Sequence, residues 1–399
     1  MKHISISLFA ISLLFACGKT EDTSAIDTEV YKKIQMQLIE AKEGDIIEIP
    51  EGKFHFDKSL TLDNVANVTI RGAGKDKTIL SFKDQIAGAE GFHIVANNIT
   101  IENLTVKDTK GDGIKLQHCK GMTLRNLNVT WSNGADEKNG GYGLYPVESE
   151  NVLIEKCEVS FASDAGIYVG QSQHVIVRDC YAHENVAGIE IENCIDSDVY
   201  HNKAEGNTGG ILIFDLPDLK LKNGHTCRVF ENEMIDNNHA NFAPKGNIVA
   251  IVPPGTGMIL LAAKEVEVFK NTIKGHKTIG IAVASFLLTQ REIKDSLYNP
   301  YCYGLYLHDN HLERKTAIPD LSTDFGKMVN LVFSASPQDI LYDGILPEEK
   351  KENILCLKNN TAKSELRFAN ADAAHDFKNV VKDAKLYECE GKVLAEVTF

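Results

Sequence analysis

What this sequence has least of is a basic surface, a long apolar run and a metal-ligand motif, and each shortage closes off a class of function. Lys and Arg number 42 against 56 Asp and Glu, a net charge of −14 with the cations scattered, so the positive patch that nucleic-acid binding requires is missing. After Ala16 no apolar segment is long enough to cross a bilayer as a helix. The nine cysteines include no Cys-x-x-Cys and the thirteen histidines no His-x-x-x-His, which leaves zinc, haem attachment and transition-metal sites without support.

What is present is one short phrase at a fixed interval. It reads Gly-Leu-Tyr-Pro at 143, Gly-Ile-Tyr-Val at 166, Gly-Ile-Glu-Ile at 188 and Gly-Ile-Leu-Ile at 210, with spacings of 23, 22 and 22. It extends outward to Gly113, Gly257 and Gly280. A second slot travels with it through Leu127, Cys157, Cys180, Asn202, Asn232, Asn271 and Asn310, usually 14 residues after the glycine. A unit of this length that holds two or three strands of period-two alternation is one coil of a right-handed parallel β-helix, with coils stacked ~4.8 Å apart. Leucine-rich repeats have a similar period but need a Leu-x-x-Leu-x-Leu signature, which these segments lack. The expected fold class is therefore all-β, a single-stranded right-handed parallel β-helix solenoid forming one long domain.

Ahead of the coils, Val30, Ile34, Leu38 and Ala41 recur at helical spacing behind Thr28. This predicts an amphipathic helix over 28–43 that caps the open sheet edge, with Thr28 as its N-cap. Then come Gly-Asp-Ile-Ile-Glu-Ile-Pro-Glu-Gly at 44–52 and Val-Thr-Ile-Arg-Gly-Ala-Gly at 68–74. These strings closely resemble the opening of pectin-lyase-like β-helix proteins, and with the repeats the resemblance covers most of the chain. It implies a β-helix over 44–312, with the last coil or coils and an irregular C-terminal cap over 313–399. The best resemblance within that fold is to the NosD-like, carbohydrate-binding and sugar-hydrolase group, many of them bacterial lipoproteins. The fold hosts lyases, hydrolases, epimerases and adhesins, so it assigns no reaction by itself.

The N-terminus fits such a lipoprotein. Lys2 and His3 precede the apolar run Ile4 to Ala16 in the layout of a secretory signal over 1–16. Leu14-Phe15-Ala16-Cys17-Gly18 resembles a bacterial lipobox, which implies lipid on Cys17, a polar tether over 17–27 and, with Gly18, placement at the outer membrane. Eight cysteines then remain. Cys157 and Cys180 occupy one slot of adjacent coils and read as stacked buried hydrophobes, while Cys119 and Cys194 stand three coils apart, beyond disulfide reach. Pairing of the others stays open.

In a strand that starts at the phrase glycine, the next residue points inward and the one after it outward. The inward line, from Ile114 through Leu144, Ile167, Ile189, Ile211 and Met258 to Ile281, is apolar throughout. The outward line begins Lys115, Tyr145, Tyr168, Glu190, and these four are expected to form an exposed polar and aromatic strip under several sugar units. In uronic-acid lyases and epimerases a cation neutralises the substrate carboxylate while a base takes the neighbouring proton. Lys115 beside Tyr145 and Tyr168 has that chemistry if the ammonium pulls a tyrosine below its usual pKa of ~10. These three are the catalytic candidates.

Substrate contacts are expected from Lys115, Trp131, Tyr142, Tyr145, Tyr168, Glu190 and Asp215, because Trp131, Tyr142 and Asp215 lie in insertions that interrupt the repeat. A third insertion, from Leu287 to Cys302, reads as a short helix. No cofactor is required. Calcium, common in relatives of this fold, would fall to Glu190 and Glu192 on one strand face, and Asp164 flanks them. The strip carries no Asp-Pro-His string of mannuronan epimerases, no paired-Asp pattern of polygalacturonases and no counterpart of the pectate-lyase arginine, so no catalytic residue is carried over from those families.

Two functions fit this pattern. One is a lipid-anchored outer-membrane protein that binds, and as an enzyme would cleave or epimerise, an extracellular or envelope polysaccharide. In that case it is a polysaccharide lyase, epimerase or glycoside hydrolase. The other is a non-enzymatic scaffold whose loops meet another envelope protein.

Overall fold

The structure, a computed structural model, describes residues 25–315, 318–333, 337–347 and 354–399. The signal segment and Cys17 lie outside the described residues. Parallel strands dominate, in one sheet of 20 strands that bends around two sides of the coil and another of 11 strands that closes the third. The inward residues of the smaller sheet stack in register, from Ile114 through Leu144, Ile167, Ile189, Ile211 and Met258 to Ile281, each 0% exposed. This is the right-handed parallel β-helix that the repeat period implies.

The recurring glycine has a steric cause. A Cβ on Gly143 would stand 2.6 Å from the Gly166 carbonyl oxygen, and one on Gly188 would stand 2.6 Å from that of Gly210. The next coil comes too close for a side chain, so the phrase restarts with glycine from Gly91 to Gly280, and Asp339 takes the slot only in the coil after that. The second slot has an electrostatic cause. Asn202, Asn232, Asn271, Asn310 and Asn360 form a ladder in which each amide donates to the side-chain oxygen of the next at 2.9–3.0 Å. The same oxygen also takes a backbone N–H from the coil before it, as Asn271 does from Asn232 at 3.0 Å. A second ladder, Asn185–Asn207–Asn237, does this at another corner.

The cap helix runs Thr28–Ile39 and buries Ile34 and Leu38. It is shorter than the periodicity predicts, and Asp27 rather than Thr28 precedes it, with its carboxylate occupied by the His55 N–H at 2.7 Å. At the other end strands continue through Gln338–Tyr342 and Leu355–Lys358 to Phe368–Asn370. Cys356 and Cys389 form a disulfide, and the six other cysteines among the described residues are free and buried. From Cys389 the tail runs back along the larger sheet, where the Leu394 N–H reaches Glu267 at 2.9 Å and the Val397 N–H reaches Asp198 at 3.1 Å. The Leu287–Cys302 insertion is not a helix beyond the single turn Phe286–Thr289. Long-range ties shape it instead, among them the Tyr298 hydroxyl on the Asp215 carbonyl at 2.6 Å.

Replacing Asn271 with Ala leaves the buried Asn232 N–H without its acceptor and cuts the ladder in the middle. The expected loss is ~2–3 kcal/mol in urea denaturation. An unchanged midpoint would remove the ladder from the account of stability.

Candidate functional site

The outward column of the smaller sheet passes through His93, Lys115, Tyr145, Tyr168, Glu190, Leu212 and Ile259. Its polar part is not the open strip that the sequence suggests. Lys115 and Tyr145 are half-buried, but Tyr168 is 4% exposed and Glu190 1% exposed. The cover is the insertion between the phrases at 210 and 257. Its Val249 and Val252 join Ala165, Tyr168, Ala187 and Leu212 in one apolar cluster. Small residues make the seat: Ala165, Ala187 and Gly209 are in register, and a Cβ on Gly209 would already meet Val252 at 3.0 Å. Asn241 braces this loop by donating to the carbonyls of Val249 and Val252, at 2.8 and 2.9 Å.

Under the edge of that cover lies a cluster of carboxyls and phenols. Tyr142, Tyr145 and Tyr168 form a three-ring nest with centroids 4.4–5.1 Å apart, and the Lys115 ammonium sits 5.1 Å from the centre of the Tyr145 ring. Asp112 and Asp164 stand on coils either side of Gly141. A Cβ on Gly141 would lie 3.6 Å from the Asp112 carboxyl oxygen and 3.8 Å from the Asp164 Cβ. Because that position is glycine, no side chain stands between the two acids, whose coils are two steps or ~9.6 Å apart at the backbone. Asp112 accepts the Tyr142 N–H at 3.2 Å, and Asp164 accepts the Asn247 amide at 2.7 Å. Glu192 accepts the Tyr168 hydroxyl at 2.6 Å. Glu190, fully buried, has no partner for either carboxyl oxygen.

Burial decides the protonation here, and only at Asp112 does a cation, Lys115, oppose it. Desolvation lifts Asp112 to about 6 and Asp164 to about 7, the latter aided by the charges of Glu192 and Asp112. Glu192 is also pushed up to about 7 by burial, with Asp215 adding to it. Glu190 goes well above the carboxylate range through burial and the neighbouring Asp164 and Glu192. The tyrosines move the same way, Tyr145 to about 12 by burial and the acids around it. This corrects the tyrosine-base expectation: the field at Tyr145 and Tyr168 is that of several carboxyls, not of Lys115, so both phenols are donors near neutral pH and poor bases.

The remaining candidates are dispersed. Asp215 is 1% exposed, and its carboxylate is taken by Lys264, itself 1% exposed, and by the Gly224 N–H at 2.8 Å. It holds loops together and presents nothing outward. Trp131 is 3% exposed and donates its ring N–H to the Thr109 carbonyl at 2.8 Å, so it packs beneath its loop and is not a sugar platform. Glu190 and Glu192 do share a face, but Glu192 is engaged by Tyr168. Among the described residues no three His, Cys, Asp or Glu side chains come together as a metal-holding group.

Two members of the site, His93 and Asp112, were legible but passed over, and Asp164 entered only as a flank to the calcium candidates. Gly91-Phe92-His93-Ile94 is the repeated phrase itself, 22 residues before Gly113. It puts His93 beside Lys115 in the column, with its Nε2 buried and unpartnered. Asp112 sits one residue ahead of its phrase glycine, a position held elsewhere by Tyr142 and Ala165, and Asp164 two ahead, a position held elsewhere by Gly141, Val186 and Thr208.

Residues 90–286 match the family model described as the right-handed beta helix region. The match, over just under half of the chain, agrees with the right-handed β-helix fold of the structure. The preneck appendage protein of Bacillus phage PZA is 25% identical to this β-helix over 232 residues, 49% of this chain and 26% of that protein. The chain thus spans about a quarter of the length of the curated relatives it matches. Among solved structures, the A-module of the Azotobacter vinelandii mannuronan C-5 epimerase AlgE4 superposes with a TM-score of 0.52 at 13% identity, over 86% of this chain and 92% of that one. The catalytic domain of a GH87 alpha-1,3-glucanase in complex with tetrasaccharides gives 0.52 at 11%, over 84% and 63%. Likeness at these identities establishes the coil architecture and leaves the chemistry to the residues themselves.

Asp164 provides a test of the cluster's electrostatics. Its folded pKa of about 7 lies above the usual 3.8, so the folded protein holds this proton more tightly than the unfolded chain. The resulting stability is fully present below pH ~4 and is lost as pH rises through about 7. Asp164→Asn, which keeps an acceptor for Asn247, should flatten the stability profile across that window. It should also exceed the parent by ~1–3 kcal/mol at pH 8. Identical parent and variant profiles would contradict the buried, cation-free environment.

Proposed function

We propose that this β-helix binds a polysaccharide between Asp112 and Asp164 and cleaves it by general acid–base catalysis. The observation that carries this reading is Glu190, a fully buried carboxyl with both oxygens unpartnered, set among three other acids and walled by tyrosines. A group of that kind is costly to fold around, and a purely structural face has no use for it. Glu190 itself lies beneath the cover, while the half-buried Asp112 and Tyr145 meet the sugar, since tyrosine rings suit the apolar faces of pyranoses.

The roles follow from the environments. Asp164, buried and protonated near neutral pH, donates to the glycosidic oxygen. Asp112, lower in pKa and less deeply buried, takes a proton from the attacking water. Two carboxyls carried two coils apart, ~9.6 Å at the backbone, suit an inverting hydrolysis. Lys115 and Tyr145 line the open end and contact the chain as it enters. The lyase and epimerase alternatives need a basic phenol, and the carboxyls around Tyr145 and Tyr168 disfavour one. The epimerase and glucanase named above both act on sugar chains, which supports the substrate class. No cofactor enters this reaction.

The reading includes export and a lipid on Cys17 that holds the β-helix at the outer membrane. Replacing Cys17 with Ser should then move the protein from the membrane fraction to the soluble one.

The scaffold reading keeps one point in its favour, the kinship with phage preneck appendage proteins. Product chain length separates the two. With the full-length protein and a panel of polysaccharides, shortened chains are expected. Asp164→Asn and Asp112→Asn should each slow the reaction ~10²–10⁴-fold while glycan retention persists. A parent that neither retains nor shortens any glycan would hand the case to the scaffold.

A further inference from the structure

We infer that the protein holds a second binding site, for one unbranched aliphatic chain with an uncharged polar end, in a cavity beside the cover on its C-terminal side. This site is independent of the glycan reading. Two outward columns of the smaller sheet make its floor, one through Leu212, Ile259, Ala282 and Leu341 and the other through Phe214, Leu261 and Ala284. Both drop to alanine on the coil of Gly280, which hollows the sheet there. Ala250, Val252 and Pro253 of the cover line the cavity from one element, and Phe325 of the helix Asp324–Phe333 lines it from another.

The cavity measures about 560 Å³, a size that takes a ligand rather than a few waters. A hollow of about 20 Å³ abuts it, sharing Ala282, Ala284, Leu288 and Phe325 and reaching Leu341 and Ala371. From the coil of Phe214 to that of Ala371 is four steps, ~19 Å along the axis. Space that is long and narrows at one end suits an extended chain better than fused rings. An apolar hollow open to water, with Ile251 on its rim 46% exposed, is a mark of binding.

Charge and hydrogen bonding narrow the class further. Among the described residues that line the larger cavity, Asp324 is the one charged side chain, and it is fully exposed and paired with Lys327 at 2.9 Å. The hydroxyls are already engaged. Thr289 donates to the Phe286 carbonyl at 2.7 Å, Thr323 accepts the Gly326 N–H at 3.1 Å, and Ser322 donates to Asp320. The exposed Gln290 amide remains to meet a polar end at the mouth. In the smaller hollow Asp343 accepts the N–H groups of Ser285 at 2.6 Å and Ile345 at 3.0 Å, and the other side chains lining it are apolar. Neither end offers a cation to an anionic head.

The test is calorimetric titration with straight-chain primary alcohols from hexanol to dodecanol, on the full-length Cys17→Ser protein so that no detergent competes. The dissociation constant should fall ~4-fold per added methylene until the cavity is filled and then level off. Binding should carry a negative heat-capacity change. Ala282→Leu and Ala284→Leu give that coil the bulk its neighbours in the columns already carry. Each should weaken dodecanol binding ~10-fold or more and bring the levelling point to shorter chains. The series on the unsubstituted cavity decides the matter where a leucine variant does not fold.

No binding, a dissociation constant independent of chain length, or tighter binding of naphthol than of decanol, which has as many carbons, would overturn the inference. So would binding to phosphatidylcholine vesicles alone that both leucine variants retain, since the apolar rim would then be a membrane contact. None of these outcomes involves glycan retention, so each leaves the glycan reading where it stands.

Discussion

In a coil that repeats every ~4.8 Å, each side chain has a counterpart directly above and below it, so every position on the circuit becomes a column that must tolerate its own repetition. The interior meets this with aliphatic stacks, and two corners meet it with asparagine ladders, whose amide both donates and accepts. The larger sheet meets it with alternation. One outward column reads Glu48, Arg71, Glu102, Arg125, Glu155, Arg178, with Arg71–Glu102 and Arg125–Glu155 contacts of 2.6 and 2.5 Å. It then turns aromatic, with Tyr200, Phe230, Phe269 and His308 stacked at 4.8–5.1 Å. Charge is cancelled where it is present and replaced by ring stacking where it is not.

Against that background the site on the smaller sheet is an exception. Asp112, Asp164, Glu190 and Glu192 place like charges on neighbouring coils, and the chain answers with protonation more than with counter-ions. Asp343, another buried acid without a counter-ion, takes backbone N–H bonds from Ser285 and Ile345, whereas Glu190 takes none, and a fold built on self-compatible columns bears such a cost only if something other than stability maintains it. That is why the buried acids, rather than the exposed Lys and Glu residues around them, carry the functional argument.

The architecture was legible because its causes are periodic. A glycine that must recur wherever backbones meet, and an asparagine that must recur wherever turn amides need an acceptor, leave marks at fixed intervals. The in-or-out assignment of Lys115, Tyr145, Tyr168 and Glu190 followed from the same period. What the period does not carry is the path of the insertions, and burial at the site depends on them. Nothing in the local sequence around Tyr168 or Glu190 announces that Val249 and Val252, two to four coils away in the chain, will lie on that face. Asp215 misled for a similar reason. Its partner Lys264 is 49 residues further on, and only the folded loop brings the two together.

The insertions are also what turns a flat sheet into a site. Asp215 with Lys264 and Tyr298 ties the first loop to the third, and the Arg291 guanidinium reaches the Gly246 and Asn247 carbonyls of the second at 3.2 and 3.0 Å. The three loops therefore brace one another across the face, and Asn247 carries that bracing onto Asp164. Exposure falls along the column as a result, from half-buried Lys115 and Tyr145 to Glu190 at 1%. Asp112, at the edge of the cover, is therefore less deeply buried than Asp164 and Glu190 beneath it. That asymmetry is the kind of difference in environment by which two carboxyls are set apart as acid and base.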